Sequence, residues 1–262
     1  MDLNEEVAHS HRELALLDAV RRLGGFARNT ELASALDVSE ETVRRTVKTL
    51  SKSGAVARVH GGTYLIGTRN DPSFFKRIAQ HSEEKRLIAQ EVVKSIADGM
   101  TLFLDVGSTT AFVADELRVR NNLTVITNSI RVAQTLVGHN SNRVFLLGGE
   151  MQLNELGAFG HVAEKQALRY SYDMAVLSAD ALSSSKGFLY LSAAEADLAA
   201  VVIGSSEATT MAMTHHKFDT TAPHCSFSSS SIETLIVDKE PKSKLAAQIA
   251  VWGIDVCIGR GR

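Results

Sequence analysis

The sequence predicts an α/β protein built in two parts. An N-terminal winged helix-turn-helix is followed by a C-terminal, mostly parallel α/β sheet with helices on both faces. Three observations carry this. The 262 residues suffice for one large domain or two smaller ones. Three short helical patterns, the last with basic exposed positions, open the chain. Beyond residue 100, strand-like and helix-like segments alternate, the pattern of a parallel sheet. At 44% hydrophobic and 22% charged, the composition is that of a folded chain and excludes a disordered one.

His11–Leu23 reads as an amphipathic helix with Leu14, Leu16, Leu17, Val20 and Leu23 on one broad face, stopped at Gly24-Gly25. Asn29 or Thr30 N-caps a short second helix through Ala35, packed by Leu32 and Leu36, and Asp37-Val38 is the turn. Ser39 caps a third helix that carries Glu40 and Glu41 in its first turn and ends at Gly54. Val43, Val47 and Leu50 face its core, while Arg44, Lys48 and Lys52, spaced by four, share another face with Thr42 and Arg45 between. Ala55–Arg58 and Gly61–Ile66 read as two strands around the turn His60-Gly61-Gly62, a wing beside that helix.

A net charge of −2 at first argues against a nucleic-acid partner, but the charge is unevenly spread. From Thr42 to Arg69 there are six basic residues and no acidic one, whereas residues 71–262 carry eighteen basic and twenty-one acidic. A solvated helix face also produces such a cluster, but its coincidence with helix spacing and a wing points to phosphate-backbone binding. A helix fits the major groove with its N-terminal side chains at base edges. The expected contacts are Ser39, Thr42, Arg44, Arg45, Lys48, Lys52, Arg58 and His60. Arg44 or Arg45 reads guanine, and Lys48, Lys52 and Arg58 hold phosphates.

Residues 1–66 form this first domain and 67–73 (GTRNDPS) a polar hinge, leaving 74–262 as an effector-binding and oligomerisation domain. Phe74–Asp98 reads as one long helix stopped by Gly99. Strand-like runs follow at Thr101–Val106, Leu123–Thr127, Arg143–Leu147, Asp173–Ser178, Thr209–Met213, Thr234–Val237 and Asp255–Ile258. Helical stretches between them include Thr110–Leu117, Ile130–Val137 and His161–Arg169, while 192–210 is ambiguous around Gly204-Ser205-Ser206. Ligands of such sheets bind at the carboxyl ends of strands. Those ends collect Asp105-Val106-Gly107-Ser108-Thr109-Thr110, Thr127-Asn128, Gly148-Gly149, Ser178-Ala179-Asp180 and Thr214-His215-His216-Lys217. Gly107–Thr110 at a helix N-terminus makes an oxyanion cradle. A polar, anionic small ligand is the expectation.

Two long stretches resemble a family. Glu31-Leu32-Ala33, Leu36-Asp37-Val38-Ser39-Glu40-Glu41-Thr42-Val43-Arg44-Arg45 and Arg58-Val59-His60-Gly61-Gly62 resemble the DeoR-type winged helix-turn-helix of bacterial sugar regulators. Leu104–Thr110, Leu123–Ser129, Leu146–Glu150 and Gly157–Gly160 resemble the C-terminal sensor domain of the same family, whose fold is similar to ribose-phosphate isomerases. The resemblance implies a DNA-binding repressor of carbohydrate catabolism that binds operator DNA and a sugar or sugar phosphate, as a homodimer or homotetramer. It implies that Asp105 holds sugar hydroxyls and Gly107, Ser108, Thr109 and Thr110 the phosphate. Thr127, Asn128, Gly148 and Gly149 line the rest, with Asp180, Lys186, Glu195 and Lys217 nearby. The chain departs from the pattern where Thr46-Val47 replaces Asp-Leu, Ala199 replaces a Lys, Thr214 an Asp and His216 a Ser. Lys217 or Lys186 is then the substitute cation.

The alternative is a sugar-phosphate isomerase-like enzyme with Asp105, Asp180, Glu195 and Lys217 as acid/base groups, against which an isomerase needs no DNA-binding helix. His215, His216, His224 and Cys225 lie close enough in sequence to suggest a metal, but adjacent His side chains diverge on a strand and 219–231 reads as a flexible loop, so no metal or cofactor is expected. Trp252 falls on the core side of a C-terminal helix. Two cysteines, Cys225 and Cys257, provide no disulfide framework. The acidic N-terminus lacks a signal peptide's apolar core, and no apolar run reaches membrane-span length. A cytoplasmic, membrane-free protein is expected.

Overall fold

The computed structural model describes residues 10–23, 26–59, 62–65 and 74–260. The chain divides into two compact units, residues 1–82 and 83–262. In the first, α1 (His11–Arg22), α2 (Asn29–Leu36) and α3 (Glu40–Lys52) enclose a core that includes Leu16, Val20, Leu32, Val43, Val47 and Leu50. The second helix is capped one residue earlier than Asn29 or Thr30. Arg28 takes the extended cap position, and its amide donates to the Glu31 carboxylate at 2.7 Å. Asp37, in the left-handed region at φ 51°, ends α2 and turns the chain toward α3.

Strands β1 (Phe26–Ala27), β2 (Val56–Val59) and β3 (Gly62–Leu65) form an antiparallel sheet in the order β1-β3-β2, which is the wing. The two-residue β1 carries too little periodicity to be read from sequence. The Gly24-Gly25 stop, the His60-Gly61 turn, Ile66 and the 67–73 hinge lie outside the described residues.

The single helix expected over Phe74–Asp98 is two, α4 (Phe74–Ala79) and α5 (Ser82–Lys94). His81 takes the left-handed conformation at φ 55°, which no continuous helix accommodates. Ser82 then opens α5 with Glu83 and Glu84 in its first turn, where the helix dipole favours acids. Apolar periodicity alone does not register such a break.

In the second unit α5 leads to β4 (Thr101–Leu104), α6 (Ser108–Glu116), β5 (Thr124–Thr127), α7 (Ile130–Leu136) and β6 (Arg143–Leu146). A hairpin of β7 (Glu150–Gln152) and β8 (Gly157–Phe159) precedes α8 (His161–Ala167) and β9 (Tyr172–Leu177). A second hairpin, β10 (Ala181–Ser183) and β11 (Gly187–Leu189), precedes α9 (Ala193–Ile203) and β12 (Ser206–Ala212). The chain closes with β13 (Thr234–Val237), α10 (Ser243–Trp252) and β14 (Asp255–Ile258). The ambiguous 192–210 stretch is therefore helix, a Gly204-Ser205 break, then strand.

Seven strands form one parallel sheet in the order β14-β13-β12-β9-β4-β5-β6. Successive residues along each strand feed opposite cores. Phe103, Ala175, Leu177, Met211 and Leu235 pack with Ala163 of α8, Val202 of α9 and Ile249 of α10. Leu102, Leu104, Val176, Ala212 and Ile236 pack with Ile88 of α5, Val113 of α6 and Val132 of α7. Both faces are covered, so these strands read as apolar runs rather than as alternating ones. Trp252 is partly buried on the first of these cores, with its ring 6.5 Å from Phe188.

The order of the strands creates a switch point in the sheet. From β4 the chain winds outward through β5 and β6, then returns to β9 on the other side of β4 and winds outward again. The winding reverses between β4 and β9, and the crevice of an open parallel sheet lies beyond the carboxyl ends at that point.

In the first unit Leu50 is fully buried beneath α3. Leu50→Ala is expected to cost about 2–5 kcal/mol. Hydrogen exchange should then show lost protection in α1–α3 and unchanged protection in the seven-stranded sheet.

Candidate functional site

Helix α3 presents one chemical face outward because the opposite one is spent on the core. Val43, Thr46, Val47 and Leu50 are buried, and Arg44, Arg45, Lys48 and Lys52 are exposed. The Ser39 hydroxyl accepts from the Thr42 amide at 3.2 Å and pairs with the Thr42 hydroxyl at 2.9 Å, so these two residues fix the helix start. Arg44 pairs with Glu40 at 3.3 Å and Glu41 at 3.6 Å. No ion pair to Arg45 is found among the described residues. Thr46 is buried and donates to the Thr42 carbonyl at 2.9 Å. Arg58 is exposed on β2, opposite Thr63 of β3. His60 lies outside the described residues. Six of the eight expected contacts thus sit on α3 or its cap, and Arg58 on the wing strand.

The second site lies at the switch point. The Asp105 carboxylate, buried just after β4, accepts on Oδ1 from the Gly107 amide at 2.8 Å and the Thr110 hydroxyl at 2.7 Å. Its Oδ2 accepts from the Ser178 amide, just after β9, at 2.5 Å. Gly107 is required by this closure, because a Cβ there would stand 2.1 Å from the Ser178 hydroxyl oxygen. The cradle at Gly107–Thr110 is thereby partly filled by the chain's own carboxylate. Burial pushes the Asp105 carboxyl above its ordinary value, against the opposing pull of these hydrogen bonds.

Beside it is a small cavity of about 10 Å³, room for one water. Its polar walls are Asp105, Asn128, Tyr190 and Glu195, and its apolar walls include Phe103, Phe159, Leu198 and Ala199. Two of the polar atoms there have no partner: Asn128 Oδ1 and the Tyr190 hydroxyl. Asn128 Nδ2 donates to the Ala158 carbonyl at 3.3 Å, which leaves Oδ1 unpaired. The buried hydroxyl of Thr109 is also without a partner. Burial, together with Asp105, Glu195, Asp180 and Cys225, raises Tyr190 well above the usual phenol value, so its hydroxyl keeps its proton.

The other expected ligand residues are placed as follows. Ser108, Thr109 and Thr110 are buried in the first turn of α6. Thr127 is buried, and its hydroxyl accepts from the Ser129 amide at 3.0 Å. The Gly148 amide donates to Gln166 at 2.7 Å, and Gly149, at φ 140°, lies against the Phe159 carbonyl. Asp180 accepts from the Leu191 amide at 2.8 Å, and Lys217 donates to the Ala179 carbonyl at 2.5 Å. Lys186 is exposed in the β10–β11 turn. Of the thirteen, Asp105, Asn128 and Glu195 line the cavity. Tyr190 escaped the sequence reading because Phe188-Leu189-Tyr190-Leu191 looks like an apolar run.

His215 and His216 lie on a short 3-10 turn, not on a strand, so their rings approach to 3.8 Å instead of diverging. His215 Nδ1 bonds Asp238, while His224 forms a backbone bridge with Tyr190 and Cys225 donates to the Phe227 carbonyl. The 219–231 segment, read as a loop, carries that bridge and a 3-10 turn at Ser229–Ser231.

Comparison with known proteins places both units. Residues 12–69 match the DeoR-like helix-turn-helix domain and residues 80–239 the DeoR C-terminal sensor domain. The HTH-type transcriptional repressor CsqR of Escherichia coli is 29% identical over 95% of this chain and 94% of its own length. The glycerol-3-phosphate regulon repressor of Escherichia coli is 28% identical over 88% of this chain and 92% of its own. Among solved structures, ribose 5-phosphate isomerase A of Methanocaldococcus jannaschii superposes with a TM-score of 0.40 at 18% identity, covering 53% of this chain and 55% of that one.

The raised Asp105 carboxyl has a pH consequence. Between the ordinary carboxylate value and the raised one, the folded chain holds a proton that the unfolded chain has released, so stability from this group falls as pH rises through that window. Asp105→Asn turns an amide donor toward the Ser178 N–H and is expected to cost about 1–3 kcal/mol at low pH. In urea unfolding the gap between wild type and variant should narrow as pH rises, and a widening gap would contradict the assignment.

Proposed function

We infer the function from one premise: the chain belongs to the DeoR family, a family of DNA-binding transcriptional regulators. We propose that it represses a carbohydrate-catabolism operon and that a sugar or sugar phosphate at the β4–β9 switch point sets its affinity for operator DNA. The proposed unit is a homodimer or homotetramer in the cytoplasm, because symmetric operators are read by symmetric proteins.

The observation that carries this reading is the outward face of α3, where Arg44, Arg45, Lys48 and Lys52 stand together above a buried apolar seam. In the major groove, Arg45 is available to guanine without first breaking an ion pair among the described residues, whereas Arg44 must leave Glu40 and Glu41. Lys48, Lys52 and Arg58 hold phosphates. Ligand control requires that the sugar bind the DNA-competent and DNA-incompetent states unequally. The unpaired Asn128 and Tyr190 atoms supply the differential contacts.

The isomerase alternative draws no support from the geometry. Asp105 is engaged by three donors, Asp180 by the Leu191 amide and Lys217 by the Ala179 carbonyl, so these acid/base candidates are already committed to the fold. No described helix is long and apolar enough to cross a membrane.

Fluorescence anisotropy on DNA from upstream of the regulated operon tests the reading. Arg45→Ala is expected to lower specific affinity by about 1–3 kcal/mol and to relax base preference at one position. Lys48→Ala with Lys52→Ala should weaken all sequences alike and reduce the salt slope by about two. Unchanged affinity and slope in both variants would refute the DNA-binding assignment.

A further inference from the structure

We infer that Arg12 of α1 is a further DNA contact, holding a backbone phosphate of the strand that passes between α1 and α3. The inference rests on the DNA-binding reading above and adds a second helix to the interface.

A polar groove of about 290 Å³ runs between the two helices. One wall is the start of α1, with Ser10, Arg12 and Glu13. The other is the side of α3 that carries Thr42, Arg45, Thr46 and Thr49. No ion pair to Arg12 or Arg45 is found among the described residues, whereas Arg44, which does not line the groove, pairs with Glu40 and Glu41. The other polar groups are engaged locally. The Ser10 amide donates to the Glu13 carboxylate at 2.7 Å. The Thr46 and Thr49 hydroxyls donate to the Thr42 and Arg45 carbonyls at 2.9 and 3.2 Å. Two guanidinium groups thus border one groove, and a phosphodiester is the anion whose oxygens match their forked donors.

The geometry of a helix in DNA places a strand at this groove. A helix about 10–12 Å across fills a major groove about 12 Å wide, so phosphates run along both of its flanks. The flanks of α3 differ. Arg44, Lys48 and Lys52, spaced by four, give one flank its own cations. Thr42, Thr46 and Thr49 give the flank toward α1 hydroxyls only. With Arg45 directed to a base edge, the cation for the second strand comes from α1, as Arg12. Thr46 stands where the family pattern carries Asp, and an acid there would put a carboxylate on the groove that Arg12 shares. A second cavity of about 230 Å³, apolar along Ala15, Leu16, Leu36 and Val43, also borders Arg12. The arginine stem therefore has apolar surface to lie on while its charged end stays in the polar groove. Phosphate contacts set register rather than sequence, so Arg12 orients α3 for the base contact of Arg45.

Fluorescence anisotropy of the full chain tests this on a duplex that the wild type selects from a random-sequence pool and on a scrambled duplex of the same length. Arg12→Ala should keep the wild-type melting temperature, because the side chain is exposed. It should weaken binding to both duplexes by the same factor, about fivefold at about 0.15 M salt. The slope of log affinity against log salt should fall by about one per bound subunit. Arg12→Lys, which keeps the charge, should keep the slope. Base preference should stay that of the wild type in both variants, unlike in Arg45→Ala. An unchanged slope in Arg12→Ala, beside a reduced one in Lys48→Ala with Lys52→Ala, would overturn the inference and leave the DNA-binding reading in place. A loss confined to the selected duplex would make Arg12 a base reader and overturn it too. A wild type that selects no duplex and binds no scrambled one would overturn both.

Discussion

Across the point where the sheet reverses its winding, the backbone amide of Ser178 donates to Asp105 Oδ2, while Oδ1 takes donors from Gly107 and Thr110. One carboxylate thus joins the end of β4, the start of α6 and the end of β9. Much of the sensor unit's local geometry depends on that junction. It demands glycine at 107, since any Cβ would collide with Ser178. It holds α6 against the sheet through Thr110, which is fully buried. It also sets the floor of the cavity whose other polar walls, Asn128, Tyr190 and Glu195, come from three separate segments. A buried carboxylate with good hydrogen bonds is tolerated at a cost, and that cost is typical of sites where structure serves function rather than stability alone.

The two units divide the chemistry by the sign of their charge. In the first, a capped helix with a buried apolar seam leaves its basic side chains free of the core, and Thr46 turns its hydroxyl to the helix backbone. In the second, Asp105 is held by two amides and a hydroxyl and Asp180 by an amide. The overall charge of −2 is a sum over these unlike parts and describes neither.

The helix-turn-helix was legible in the sequence because local rules dominate there. Ser39 at the cap, basic residues spaced by four and the Val43-Val47-Leu50 seam are all set by neighbours within two helical turns. Six of the parallel strands were read to within a residue or two at each end, because burial on both faces leaves continuous apolar runs. The seventh, β12, starts at Ser206, three residues before the expected Thr209, since its first turn of chain is polar. The break at His81 was not legible, since the apolar period runs through it and only the backbone conformation reveals it. The hairpins β7–β8 and β10–β11 are too short for periodicity to register. The strand-end polar residues read from the sequence fall at the carboxyl edge of the seven-stranded sheet. The sequence could not say how they are engaged, because Asp180 and Lys217 find their partners, Leu191 and Ala179, only once the chain has folded back on itself.

The central claim is that occupancy of the switch-point cavity controls the α3 face. A thermodynamic cycle measures this directly: operator affinity of the full chain by anisotropy with and without a saturating sugar that raises its melting temperature, and the Kd of that sugar by calorimetry with and without operator DNA. The account predicts that both affinities change by the same factor, as linkage requires. A sugar that binds tightly while operator affinity stays unchanged would contradict it.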